Sequence, residues 1–276
     1  MDDPKALYLD LMKRALTYFL YGESFDPIGM EDSSESFSLR RTFRKSLSAV
    51  LDRTDYALVR KKIFDPQARA EGRDWPSCAH TMIGIKRLDN LQFCIEDVLR
   101  SGVPGDLIET GVWRGGASIF MRATLKAHGV KDRTVWVADS FEGLPPPDAR
   151  YPADARLRLH TFPFLEVTLD QVQANFAAYG LLDEQVRFLK GFFSATLPGA
   201  PIEKLAVLRL DGDMYGSTMD VLNALYPKLS AGGYVIIDDY HAVEACKQAV
   251  HDFRSSHHIK DEIRPIDWTG VYWQRT

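Results

Sequence analysis

From residue 106 onward, short apolar runs alternate with stretches of helical periodicity, and this rhythm constrains the fold more than any other feature of the chain. The runs are DLIETG (106–111), TVWVADS (134–140), QVRFLKG (185–191), LAVLRLDGD (205–213) and YVIIDDY (234–240). Between them the apolar spacing predicts helices over about 116–128, 165–179, 217–229 and 243–257. Strands separated by helices of about 10 to 15 residues are the signature of βαβ units on a parallel sheet. Two further runs, EIRPIDW and VYWQR, end the chain with only Thr269 and Gly270 between them. That gap is too short for a crossover helix, so the two pair as antiparallel neighbours. The expected architecture is a doubly wound α/β sheet of five parallel strands followed by a hairpin. Residues 142–164 (EGLPPPDARYPADARLRLHTFPF) read as a proline-rich loop after the second strand, on the edge where such a sheet exposes its working face.

Acids and glycines stand at the carboxyl ends of these strands. After the first, Glu109 precedes a G-x-x-x-G-G spacing (Gly111, Gly115, Gly116) that runs through Ser118 into a helix. Glycine lets backbone approach a ligand, and a helix start offers unpaired N–H groups. An acid in front of the glycine repels a pyrophosphate but can receive an ammonium group. This argues against a dinucleotide and for a cationic, amino-acid-bearing cofactor, S-adenosylmethionine; a turn needed only for tight strand-to-helix packing is the other reading. Asp139 ends the second strand, where a carboxylate can accept both hydroxyls of a ribose or cap the turn that follows. Asp211-Gly212-Asp213 and Asp238-Asp239 follow two strongly apolar strands and so converge on one sheet edge. Carboxylates gathered there repel one another unless a hard divalent cation neutralises them, and oxygen-only ligation suits Mg²⁺, Mn²⁺ or Ca²⁺ better than zinc. Capping and turn roles explain a single Asp at each strand end more easily than a pair.

The 276 residues hold 34 Lys and Arg against 38 Asp and Glu, a net charge of −4, without the positive field that nonspecific nucleic-acid binding needs. No apolar run reaches the roughly 18 residues of a membrane span, and the N-terminus lacks a secretory signal pattern, so a cytoplasmic protein with no membrane partner is expected. Cys78, Cys94 and Cys246 are odd in number and form no CxxC pair, which indicates neither a disulfide framework nor a thiolate zinc site. Apolar residues from Leu7 to Leu20 predict an N-terminal amphipathic helix; Met82, Ile83, Ile85, Leu88, Leu91, Cys94, Ile95, Val98 and Leu99 predict a second. Between them lie an acidic, serine-rich stretch at 31–39 and a segment at 40–73 with ten Lys/Arg against four Asp/Glu, a local balance of +6. That swing marks a surface segment, lid or insertion, and hints at an acidic acceptor or partner. His80 and His241 lie beside the site segments, and His241 is a candidate base or a plain surface residue. No G-x-S-x-G elbow, P-loop or H-E-x-x-H occurs.

Several segments together resemble one family: LYLDLMKRALTYFLY (7–21), AHTMIGIKRLDNLQFC (79–94), GDLIETGVWRGGASIFMR (105–122), DRTVWVADSFEGLP (132–145), NFAAYGLLDEQVRFLKGFF (175–193), LAVLRLDGDMYGSTMDVL (205–222), GGYVIIDDY (232–240) and GVYWQR (270–275). The family is that of the macrocin O-methyltransferases, S-adenosylmethionine-dependent enzymes that methylate sugar hydroxyls in antibiotic biosynthesis. The resemblance implies a Rossmann-like class I methyltransferase fold, a seven-stranded, mostly parallel sheet with an antiparallel last strand. Residues 1–100 would form an N-terminal helical region and lid, and 101–276 the cofactor-binding domain. It also implies Mg²⁺ dependence, with Asp211, Asp238 and Asp239 as metal-binding acids and Asp211 as the base. Glu109, Gly111 and Ser118 would fall in the cofactor loop, Asp139 and Ser140 at the ribose, and Gly191, Phe192 and Phe193 near the adenine. Thr81 and Met82 would cover the methionine end. The small-molecule acceptor would be a glycosylated natural product, and the assembly a homodimer or higher homo-oligomer. The basic stretch looks longer than the family's usual connection. Methylation of a phenolic or other non-sugar hydroxyl is the alternative within the chemistry; a nucleotide-binding Rossmann protein is the rival outside it, and the missing GxGxxG with Glu109 in its place speaks against that rival.

Overall fold

Helices and strands form where the periodicity places them, with shifts that have local causes. The computed structural model describes residues 3–27, 47, 50–51 and 54–276. The serine-rich stretch at 31–39 and, in the basic segment, Arg40, Arg41, Arg44, Lys45 and Arg53 lie outside the described residues. Ahead of the sheet come helix α1 (Pro4–Leu16), the antiparallel pair β1 (Ser24–Pro27) and β2 (Val59–Lys62), the short α2 (Pro66–Ala70), and α3 (Ile85–Arg100). Asp3 starts α1 by accepting the Lys5 amide, with Pro4 in the first turn. Met82 and Ile83, expected inside the second helix, instead lead into it. A Cβ at Gly84 would lie 2.3 Å from the carbonyl oxygen of Ala70, so the backbone must press against that turn before the helix can begin.

Seven strands make the main sheet: β3 (Asp106–Thr110), β4 (Val135–Asp139), β5 (Val186–Lys190), β6 (Leu205–Leu210), β7 (Leu229–Ile237), β8 (Arg264–Pro265) and β9 (Val271–Gln274). Their order is β5-β4-β3-β6-β7-β9-β8. The first five run parallel, and β9 is antiparallel to both β7 and β8. The terminal hairpin expected from the sequence is present, although its first strand is only two residues long. Asp267 curls the chain early, its Oδ1 accepting the amides of Thr269 (3.0 Å) and Gly270 (2.8 Å).

Helices α4 (Gly116–Ala127), α5 (Leu169–Ala178), α6 (Phe193–Thr196), α7 (Tyr215–Leu225) and α8 (Glu244–Ser256) fill the connections. Alternate strand residues feed opposite cores: Leu107 packs with α1, α3 and α4, whereas Ile108 packs with α7 and α8. The result is three layers, helix, sheet and helix. α7 stops short of the expected residue 229 because Pro227 cannot continue it. Cys94 and Cys246 are buried free thiols, and Cys78 is an exposed one. Among the described residues no helix is long and apolar enough to cross a membrane. The chain leaves β3 for β4 and β5 on one side and returns to β6 and β7 on the other. The crevice beyond the carboxyl ends of β3 and β6 is therefore the topological switch point, where open α/β sheets bind ligands.

Candidate active site

Register brings the strand-end acids together. Glu109 on β3 sits directly opposite Arg209 on β6, and Leu210 opposite Ile237 on β7, so Asp211 and Asp238 leave the sheet side by side. Asp211, Asp238 and Asp239 each present a carboxylate oxygen within 4.8 Å of the others. Two guanidiniums hold this cluster. Arg209, 2% exposed, donates to Glu109 Oε1 (2.5 Å), Asp211 Oδ2 (3.0 Å) and Asp238 Oδ1 (2.5 Å). Arg87 of α3 donates to Asp238 Oδ2, to Asp267 Oδ2 (2.8 Å) and to Thr269 Oγ1. Burial alone would make Arg209 easier to deprotonate, but Asp238, Asp211 and Glu109 more than offset this and keep it charged.

The acids respond to burial and to one another. Burial, then the neighbouring Asp238, pushes Asp211 up to about 6. Asp213 is pushed up to about 7 by burial and by the charges of Asp211 and Asp238. Asp239 is raised well above the usual carboxylate range, first by burial and then by Asp213. Among the described residues no cation pairs with Asp213 or Asp239; the Asp213 amide donates to Asp239 Oδ2 at 3.3 Å. Asp213 also holds a left-handed φ of 55°, uncommon for a residue with a side chain and a sign of a turn shaped for its task. An all-oxygen donor set with excess negative charge fits a hard divalent cation. Asp238 keeps room for one because a carboxylate has about four lone-pair positions and its guanidinium contacts use two.

The glycine loop does more internal packing than its spacing suggested. A Cβ on Gly111 would lie 1.7 Å from the Asp211 carbonyl oxygen, and one on Gly116 would lie 2.4 Å from that of His80. Both glycines thus permit close contact within the chain, and Gly111 also lines the cavity described below. Glu109 faces inward, 2% exposed, with Ser118 donating to its other oxygen, and burial pushes it up to about 7. Asp139 accepts the amides of Val112 (2.7 Å) and Phe141 (2.8 Å), which aim its carboxylate and tie the β3 and β4 loops together. Ser140 closes the turn by donating to the Gly143 carbonyl at 2.5 Å.

Above the acids opens a cavity of about 600 Å³. Thr81, Met82, Glu109, Gly111, Asp139, Ser140, Phe192, Phe193, Asp211, Asp238 and Asp239 line it; Ser118 and Gly191 do not, the first lying fully buried behind Glu109 and the second bonding its amide to the Asp139 carbonyl (2.9 Å). The proline-rich loop supplies one wall through Leu144, Leu159, Phe162 and Phe164. Asp154, which no motif singled out, fixes that loop: 1% exposed, it accepts the amides of Tyr215 (2.7 Å) and Gly216 (2.9 Å) at the start of α7. Arg87 and Arg209 were also missed. The one available signal was a charged residue inside LAVLRL, a strand otherwise wholly apolar and buried throughout.

His80, His241 and the described arginines and lysines of the basic segment do not join the acid cluster. His80 bonds Tyr179 Oη through Nδ1 (2.8 Å), and burial lowers its pKa. His241 is exposed and does not line the cavity. In the described part of the basic segment, Arg69 is 2% exposed on Asp74 (2.6 Å), Arg73 pairs with Glu71 (2.8 Å), and Lys61 with Glu23 (2.7 Å).

Comparison with known proteins gives one consistent result. The profile of the macrocin-O-methyltransferase (TylF) family matches residues 5–275. The chain is 54% identical over 277 residues to 8-demethyl-8-(2,3-dimethoxy-alpha-L-rhamnosyl)-tetracenomycin-C 4'-O-methyltransferase of Streptomyces olivaceus, covering 100% of this chain and 95% of the relative. It is 51% identical over 274 residues to mycinamicin III 3''-O-methyltransferase of Micromonospora griseorubida, covering 98% and 96%. The solved structure of the O-methyltransferase NovP superposes with a TM-score of 0.84 at 48% identity, covering 99% of each chain.

Proposed function

Because the chain belongs to the macrocin O-methyltransferase family, we propose that this methyltransferase moves the methyl group of S-adenosylmethionine onto a sugar hydroxyl of a glycosylated natural product, with Mg²⁺ held by Asp211, Asp238 and Asp239. The observation that carries the reading is the convergence of these three carboxylates at the switch point, under a cavity walled by apolar residues. S-adenosylmethionine, when bound, supplies an electrophilic methyl group on a sulfonium. Mg²⁺, when bound, stabilises negative charge developing on a hydroxyl oxygen.

The chain's own residues do the rest. Asp139, aimed by two backbone amides, keeps lone pairs for the ribose hydroxyls with Ser140 beside it, and Phe192 and Phe193, on the cavity wall, are the proposed contacts of the adenine. Thr81 and Met82 would cover the methionine end and Glu109 and Gly111 the cofactor loop, with Ser118 behind Glu109 and Gly191 behind Asp139. A sugar hydroxyl is a poor nucleophile near neutral pH, so its proton must leave as the O–C bond forms. Asp211 is the assigned base. Asp213 is a second reading supported by one observation: unlike Asp211, it has no guanidinium partner among the described residues. Holding the hydroxyl in line with the methyl supplies much of the acceleration. We further propose that residues 1–100 act as cover and 101–276 as the cofactor-binding unit, in a cytoplasmic homodimer or higher homo-oligomer.

Isothermal calorimetry with S-adenosylhomocysteine, with NAD⁺ as control and each with and without Mg²⁺, tests the reading. Micromolar binding of the homocysteine compound alone is expected, followed by methylation within a panel of glycosylated acceptors that begins with rhamnosides, the sugar in the Streptomyces olivaceus relative's name. Binding of NAD⁺ instead would overturn it, and methylation only of free phenols would overturn the sugar assignment.

A further inference from the structure

The turn after β3 is tied to chain on both sides of the cavity. Trp113 holds a left-handed φ of 48°, which a bulky residue keeps only where its surroundings fix it. Here the Val112 amide donates to Asp139 Oδ2 at 2.7 Å, the Gly115 amide closes the turn on the Val112 carbonyl at 2.7 Å, and Asn175 of α5 donates to the Arg114 carbonyl at 2.9 Å. From this turn Arg114 donates to the carbonyls of Ser77 and Ala79, the latter at 2.9 Å, and the Gly116 amide donates to that of His80 at 3.0 Å. The turn thus holds the stretch that leads to Thr81 and Met82. In the other direction the Trp113 indole N–H donates to the Phe164 carbonyl at 2.8 Å. The Arg114 guanidinium lies over that indole, 4.2 Å from a ring centroid, and Trp113 and Phe164 both line the cavity.

The Phe164 contact matters because of the chain just before it. Residues 155–163 carry Leu159 and Phe162 on the cavity wall, and among the described residues their hydrogen bonds all stay within 152–166. They form a strap of short turns fastened at its two ends, by Asp154 on the amides of α7 and by the Trp113 indole on Phe164. The first anchor is a helix; the second is the turn whose Gly111, Val112 and Trp113 line the cavity. A segment with few external bonds opens locally at low cost, so whatever steadies an anchor steadies the strap. We propose that Trp113 is a positioning residue that couples the cofactor to the acceptor wall: a cofactor bound against residues 111–113 steadies the turn, and the indole N–H then holds the strap over the acceptor. This rests on the placement of S-adenosylmethionine at the ends of β3 and β4. Coupling of this kind is reciprocal, so the fastened strap tightens cofactor binding by the same factor.

Limited tryptic cleavage of the full chain after Arg156 and Arg158, exposed residues inside the strap, follows its opening, with cleavage after the exposed Arg150, outside it, as the reference. At saturating S-adenosylhomocysteine the wild-type strap is expected to be cut about fivefold more slowly than without it, the net effect of one such hydrogen bond. In Trp113→Phe, which keeps a ring and removes the N–H, that protection should fall below about twofold, while S-adenosylhomocysteine affinity weakens by no more than about fivefold. A purely structural contact would raise cleavage equally with and without the ligand and leave the ratio at its wild-type value, and that result overturns the proposal. So does a wild type that binds S-adenosylhomocysteine without protection of the strap. A larger loss of binding in the variant overturns it as well, because Trp113 would then be a direct cofactor contact. β-(3-Benzothienyl)alanine at position 113, the same bicyclic shape without the N–H, gives the same reading where the phenylalanine variant fails to fold. A wild type that binds no S-adenosylhomocysteine at all would sink the cofactor placement, and the coupling with it.

Discussion

Arg209 is the test of whether the acid cluster is held by its buried cation. Its guanidinium contacts Glu109, Asp211 and Asp238, its side chain is 2% exposed, and those of Glu109 and Asp238 are 3% and 7% exposed. Arg209→Met keeps the bulk of the side chain and removes the charge. It leaves Glu109 with only the Ser118 hydroxyl, while Asp238 retains Arg87. Removing one partner of a buried ion pair destabilises by about 3–5 kcal/mol. Glu109, already pushed up to about 7, can escape part of that by taking a proton. We therefore expect the lower end, ~3 kcal/mol at pH 7, which for a chain of this length is a fall in melting temperature of roughly 6 °C. Thermal and urea unfolding followed by circular dichroism, without divalent ions, would measure it. The loss should shrink at pH 5, where the orphaned acids are protonated, and adding Glu109→Gln should restore part of it. A single variant within about 1 kcal/mol of wild type, or a double variant no more stable than the single, would refute the claim that Arg209 neutralises this cluster.

Other expectations follow from the same geometry. Glu109 and Asp213, raised to about 7, and Asp211, raised to about 6, bind protons more tightly folded than unfolded, so without metal their contribution to stability is present below the unfolded carboxylate range and is lost as pH rises towards 7. Mg²⁺ competes with those protons, so the rise in melting temperature that it produces should be larger at pH 8 than at pH 5.5; an equal rise at both would count against a carboxylate site. Asp211→Asn should abolish turnover and weaken Mn²⁺ binding while sparing S-adenosylhomocysteine binding, whereas Asp213→Asn should spare the Mn²⁺ site and lower kcat by about 10²–10⁴ if Asp213 and not Asp211 takes the proton. Activity within a few-fold of wild type in Asp211→Asn would sink its assignment. Asp154→Ala should remove the cap of α7, costing about 1–2 kcal/mol, and raise the acceptor KM as the 142–165 loop loosens; Asp154→Asn should keep most of both, and an unchanged KM in the alanine variant would detach the loop from acceptor binding.

The parts of this site that the sequence made legible are those that local rules determine. An apolar run ending in Asp-Gly-Asp or Asp-Asp places its acids at a strand's carboxyl end whatever the rest of the chain does, and a parallel sheet collects such ends on one edge. Glu109, Asp139, Asp211, Asp238 and Asp239 could be singled out for that reason, and all five line the cavity. The helix starts moved where a distant neighbour intervened: Met82 and Ile83 have helical spacing, but Gly84 is pinned against Ala70, a contact that periodicity does not encode.

Counterions were the part hidden from the sequence, and the reason is register. Arg209 neutralises Glu109 only because β3 and β6 align so that the two face each other across a strand pair separated by 100 residues of chain. Arg87 comes from a helix ahead of the sheet, yet joins an acid at the end of β7 to the last turn of the chain. The acids argue for a cation strongly, because Arg209 is the one positive charge in the segments 205–213 and 234–240 that carry four of them. Once the two arginines are placed, each Asp238 oxygen carries one guanidinium contact, both Glu109 oxygens are bonded, and Asp211 shares Arg209, so the carboxylates left without a cation partner among the described residues of this cluster are Asp213 and Asp239. The need for a cation thus becomes local to the rim of the cavity, beside the place where a hydroxyl would have to lose its proton, and a cation bound there would act on the acceptor more than on the fold.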